Sequence, residues 1–133
     1  MINEGIKGHI KLEDVSFKYE SRHQYVFKNI NVEIHPGQKV AFVGPSGCGK
    51  STILQLLQRF YFPESGTITI DGQDIKDYDI HYLRSKFGVV SQEPVLFNGT
   101  FRENIKYNKY DANEEEIRLA SAEANALAFI EGD

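Results

Sequence analysis

Apolar and polar positions alternate twice in the first third of the chain. In the segment 9–19, "HIKLEDVSFKY", Ile10 and Leu12 share one parity and Val15, Phe17 and Tyr19 the other. Both halves read as strand, with a phase slip at Glu13-Asp14 that predicts a bulge or two short strands. In "INVEIH", Ile30, Val32 and Ile34 lie on one face, and Pro36-Gly37 then marks a turn. "KVAFVG" breaks this habit. Val40, Ala41, Phe42 and Val43 are apolar without alternation, which predicts a strand covered on both faces, as in the middle of a parallel sheet. "FGVVS" reads as a second buried strand. Between them, Ile53, Leu54, Leu56, Leu57 and Phe60 recur at helical spacing, with Gln55, Gln58 and Arg59 on the other side. That predicts an amphipathic helix of about three turns, ended near Pro63. "GTITIDG" predicts a short strand closed by Asp71-Gly72, and "DIHYLRSK" a short helix. Residues 100–106 and 113–130 also read as helical. The latter opens on Asn113 as cap, with Glu114, Glu115 and Glu116 in the first turn, where the helix dipole favours negative charge. The fold class expected is α/β, built on a phosphate loop with an antiparallel strand layer at its N-terminal side.

The chemistry is concentrated between the apolar run and the first helix. Gly44-Pro45-Ser46-Gly47-Cys48-Gly49-Lys50-Ser51-Thr52 matches the P-loop pattern G-x4-G-K-[ST] in full. Glycines let successive backbone N–H groups turn into one concavity. The helix from about Gly49 adds the positive end of its dipole. Lys50 supplies a point charge for the β- and γ-phosphates, the Ser51 hydroxyl is a hard ligand suited to Mg²⁺, and Thr52 can donate a further hydrogen bond. Cys48 inside the loop reads as a small filler side chain; the alternative is a reactive thiol, because a helix N-terminus and Lys50 both favour a thiolate.

Composition narrows the picture. A chain of 133 residues with 41% hydrophobic and 26% charged residues is one ordinary globular domain in size and class. The net charge of −4 is uneven. Residues 111–133 carry seven acidic side chains against the single base Arg118. That balance argues against a nucleic-acid partner there; a solvated helix face explains it. Cys48 is the only cysteine, so no internal disulfide forms, which suits a reducing compartment. "MINEGIKGHI" lacks the basic-then-apolar order of a signal peptide. No apolar run approaches the ~20 residues needed to cross a bilayer, so no direct membrane insertion is expected of these residues.

Taken together, "VSFKY", "VFKNINVEIHPGQKVAFVGPSGCGKSTILQLLQRFY", "SGTITIDGQDI" and "LRSKFGVVSQEPVLFNGTFRENI" resemble the first half of an ATP-binding cassette (ABC) domain of the multidrug-exporter branch. The resemblance runs from about residue 9 to 131. It implies a P-loop NTPase fold of ABC type, an ATP-binding core at about 9–107, and the start of a helical subdomain at about 108–133. It implies ATP and Mg²⁺ as cofactors. Tyr19 falls at the family's A-loop aromatic, which stacks on adenine. Gln92 falls at the Q-loop, which helps ligate Mg²⁺, senses the γ-phosphate and begins the segment that meets the membrane domain. Lys50 and Gln92 are thus the expected catalytic contributors, and Ser51 and Gln92 the expected metal ligands. Pro94, Val95, Leu96 and Phe97 would face a transmembrane domain, of the same or a partner chain, and a second cassette would complete a dimer at the cytosolic face of a membrane.

The resemblance also defines what this stretch does not contain. The family's signature segment, its apolar strand ending in Asp-Glu, and its switch histidine are not present. His9, His23, His35 and His81 all precede Gln92. The expectation is a nucleotide-binding piece of an ABC exporter ATPase that does not hydrolyse ATP by itself. The alternatives are a non-hydrolysing interaction module and a soluble ABC protein. Asn108-Lys109-Tyr110-Asp111 imitates the N-K-x-D of GTPases, but it follows a charged helical stretch instead of an apolar strand, and no D-x-x-G follows the P-loop.

Overall fold

The computed structural model describes residues 5–132. The chain divides into two compact units, one ending at Gly88 and the other starting at Val89.

The first unit is built on a four-stranded antiparallel sheet in the order β2-β1-β3-β4. The strands are β1 (Ile10–Phe17), β2 (Phe27–Ile34), β3 (Ser65–Ile70) and β4 (Gln73–Asp74). The predicted phase slip is a bulge within one strand. Asp14 takes φ 50°, and the register of β1 slips between Leu12 and Val15 against β2 and between Glu13 and Ser16 against β3. The extra residue lets Leu12, Val15 and Phe17, of opposite parity, all bury. Asp71 and Gly72 both have positive φ and join β3 to β4 by a two-residue turn, the hairpin geometry that Asp-Gly favours.

Helix α1 (Lys50–Leu57) buries Thr52, Ile53, Leu56 and Leu57. It is shorter than the periodicity predicts: Gln58 caps it and Arg59 turns left-handed at φ 55°. Phe60, expected on the apolar face, is 57% exposed and lies under the guanidinium of Arg84. Helix α2 (Ile80–Ser85) is capped by the Asp79 carboxylate, which accepts from the Tyr82 N–H. Together with Ile75 and Leu83, the inner faces of the sheet and α1 make one core.

Two expectations are corrected. Residues 39–44 and 88–90 are irregular and form no strand. Val43 is 93% and Val90 98% exposed. A doubly covered strand needs hydrogen-bonding neighbours on both edges and layers above and below. Among the described residues neither segment has a ladder partner, so apolar composition alone does not place it in a sheet.

The second unit is helical. It contains α3 (Phe101–Ile105), α4 (Glu114–Glu123) and α5 (Leu127–Glu131). The single helix predicted over 113–130 is broken at Asn125, which takes φ 57°. Capping boxes start α3 at Thr100 with Glu103 and α4 at Asn113 with Glu116. Ion pairs join Arg102 to Glu114 and Arg118 to Glu131. No described helix is long and apolar enough to cross a membrane.

Candidate nucleotide-binding site

The loop 44–49 is shaped by its glycines. Gly47 and Gly49 sit at φ 81° and 94°, a region that disfavours side chains. Gly49 is needed for a second reason. A Cβ there would lie 2.5 Å from Val26 Cγ1 and 2.8 Å from Phe27 Cδ1. The loop is thereby seated on the start of β2, and α1 begins directly from it. The first helical bond of α1 runs from the Ile53 N–H to the Gly49 carbonyl at 3.2 Å. The N–H groups of Lys50, Ser51 and Thr52 therefore open the helix without carbonyl partners of their own turn.

Lys50 folds back over the loop. Its Nζ donates to the carbonyls of Gly44 and Pro45 at 2.7 and 2.8 Å and lies 3.7 Å from Cys48 Sγ. The ammonium thus lies against the loop backbone, and Ser46, Gly47, Cys48 and Ser51 are exposed. Two left-handed glycines, a helix N-terminus and a cation held by loop carbonyls are groups of the kind that suit an anion. The donor set fits a polyphosphate, and the exposed Ser51 hydroxyl fits a hard divalent cation beside it.

Tyr19 reaches the same helix from the other side. Its hydroxyl bonds Thr52 Oγ1 at 2.9 Å and donates to Gln55 Oε1 at 3.1 Å. Its ring is half-buried and meets Phe17 and Tyr61 edge-on, at 4.9 and 5.2 Å between centroids. Thr52, expected at the phosphate, is buried and turned toward Tyr19. Gln55 and Tyr61 were not singled out from the sequence. The signal for Gln55 was its place three residues after Thr52, which puts both on one helix face; Tyr61 had no signal. Gln92 belongs to the second unit. It is exposed in a bend where Ser91 Oγ donates to the Glu93 carbonyl at 2.7 Å.

The family model for ABC transporter matches residues 27–130, most of the chain. The chain belongs to the ABC transporter family. Its resemblance to the exporter branch is borne out by its relatives. It is 49% identical over 131 residues to Multidrug resistance protein homolog 65 of Drosophila melanogaster, covering 98% of this chain and 10% of that protein. It is 46% identical over 129 residues to ABC transporter B family member 21 of Arabidopsis thaliana, covering 96% of this chain and 10% of that protein. It is 51% identical over 126 residues to ABC transporter B family member 2 of Dictyostelium discoideum, covering 94% of this chain and 9% of that protein. The ABC chain thus spans about a tenth of the length of the relatives it matches. Its P-loop fold class is that of the family, with the antiparallel layer described above.

Proposed function

We propose that this ABC chain is the ATP-gripping part of an exporter's nucleotide-binding domain. The observation that carries this reading is Lys50 Nζ held over a loop whose Gly47 and Gly49 are left-handed. In this reading the triphosphate exchanges places with the Gly44 and Pro45 carbonyls as the partner of Lys50. The N–H groups from Gly47 to Thr52 line its anionic oxygens. Ser51 offers its hydroxyl to Mg²⁺, which would screen the phosphate charge when bound, and Gln92 is proposed for the Q-loop role that the family resemblance gives it. Tyr19 offers an aromatic surface to the purine.

Phosphoryl transfer needs positioned groups around the γ-phosphate. The sequence holds no Ser-Gly-Gly segment and no apolar strand ending in Asp-Glu. The chain is therefore proposed to bind Mg·ATP weakly and not to turn it over. In the parent transporter, the missing groups, a second cassette and a transmembrane domain complete the machine at the cytosolic face of a membrane. About 9–107 is assigned to the ATP-binding core and about 108–133 to the start of the helical subdomain. Cargo is left to the membrane segments.

The test is a titration of the chain with Mg·ATP, followed by backbone amide shifts, with phosphate release measured in parallel. Shifts centred on Gly47 to Thr52 that Lys50→Ala weakens at least about tenfold, the loss of one charge-assisted contact, are expected. Phosphate release should stay at background. Unmoved P-loop resonances would overturn the binding site, and turnover lost in Lys50→Ala would overturn the inactivity.

A further inference from the structure

The β1–β2 pair carries a second cluster of chemistry-bearing side chains, away from the phosphate loop. Its origin is the antiparallel register. Ile10 pairs with Ile34, Lys11 with Glu33 and Leu12 with Val32. Alternation sends Leu12 to the core and leaves His9, Lys11, Glu33 and His35 to share the other face. One step beyond the Ile10–Ile34 pair, the register sets His9 opposite His35, with Glu33 on the diagonal. The two imidazoles stack at 5.1 Å with planes 3° apart, and His9 Nε2 lies 2.8 Å from Glu33 Oε1.

We propose that His9, Glu33 and His35 form a divalent transition-metal site of the zinc class on the solvent face of β1–β2. Each residue offers one ligand atom, and the three atoms lie within 4.8 Å of one another. Tetrahedral zinc with bonds of about 2.0–2.2 Å wants its ligand atoms roughly 3.3 Å apart. His9 and Glu33 are already that close. A modest side-chain rotation brings His35 in. Two imidazoles and one carboxylate suit zinc better than Mg²⁺ or Ca²⁺, which prefer all-oxygen shells. Water takes the fourth position.

The backbone beneath the ligands is fixed independently of them. The Asp71 carboxylate accepts from the N–H groups of Lys7, Gly8 and His9 at 2.7 to 3.1 Å, and the Asp71 N–H donates to the His9 carbonyl at 2.7 Å. The His35 N–H donates to Gln38 Oε1 at 2.8 Å. Lys11, on the same face, is paired with Glu13 at 2.8 Å, so it does not occupy Glu33. The ladder therefore presents two imidazoles and a carboxylate on anchored main chain.

The experiment is a titration of the chelator-treated, nucleotide-free chain with ZnCl₂, read by calorimetry and by amide shifts. One zinc per chain is expected, with shifts confined to residues around 8–11 and 32–36. His9→Ala and His35→Ala should each weaken binding at least about tenfold, while Glu33→Gln weakens it less. His81→Ala, a histidine on α2, should leave it unchanged. All three ligands are partly or fully exposed, and circular dichroism of each variant verifies that it folds. Zinc binding that survives His35→Ala in a folded chain, shifts centred on Cys48, or no binding at all would overturn the site.

Discussion

At the residue scale, the phosphate loop depends on the absence of one methyl group. Gly49 faces Val26 and Phe27 so closely that a Cβ would overlap both, and its φ of 94° disfavours any side chain. Gly49→Ala is expected to destabilise the first unit by about 1–3 kcal/mol, read as a lowered midpoint in urea. An unchanged midpoint would mean that the loop is not seated on β2 as described. The need for Gly49 was legible in the motif, but its physical partner was not. Nothing in "GCGKST" names Val26 and Phe27, because they stand at the entry to β2, more than twenty positions earlier. Gly66 is the stronger case. It lies outside the phosphate loop, yet at φ 86° a Cβ would meet the carbonyl oxygens of Glu13 and Asp14 at 2.4 and 2.5 Å. The bulge visible in the alternation of β1 thus requires a glycine fifty residues later, and only the pairing of β1 with β3 shows it.

At the element scale, the short helices of the second unit rely on their caps. Glu103 accepts from the Thr100 N–H at 2.7 Å and from its hydroxyl at 3.0 Å. These bonds, the backbone one first, hold the Glu103 carboxyl below its usual range. Glu116 is held low chiefly by Lys109, and then by the Asn113 N–H. A lowered folded-state pKa means that the stabilisation is fully present above the ordinary value near 4.5 and is lost as pH falls through the folded-state value. Helical ellipticity should therefore decline on acidification below that range, and Glu103→Gln with Glu116→Gln should flatten the decline. An identical acid profile in the double variant would contradict the role of the caps. Asn113 and its acidic turn were readable as a helix start. The stop at Asn125 was not, since the apolar spacing continues through Ala126, Leu127 and Ile130 while the backbone turns left-handed.

At the scale of the whole molecule, the valines Val43 and Val90 that the sequence pattern placed in buried strands are exposed, and so are Val95 and Leu96 of the segment expected to face a transmembrane domain. Val43, Val90, Val95 and Leu96 are each at least 74% exposed. Exposed apolar segments outside any sheet invite association with another chain. The chain is expected to self-associate as concentration rises, seen as a growing sedimentation coefficient. Val43→Lys with Val90→Lys should reduce the effect. A single monomeric species across the range would sink this expectation.

The sequence alone determined whatever is encoded within a few neighbouring residues. That covers the alternation of β1 and β2, the slip at Glu13-Asp14, the turn at Asp71-Gly72, the start of α1, the glycine-lysine phosphate loop and the order of motifs that together resemble the ABC family. Side-chain period, turn chemistry and motif spacing are local properties, so local reading reaches them. Tertiary structure alone decided which apolar runs are covered, that Tyr19 meets Thr52 and Gln55, and that His9 stacks on His35. Those outcomes depend on hydrogen-bonding partners and strand register between residues far apart in the chain, and a one-dimensional pattern holds no distance between them.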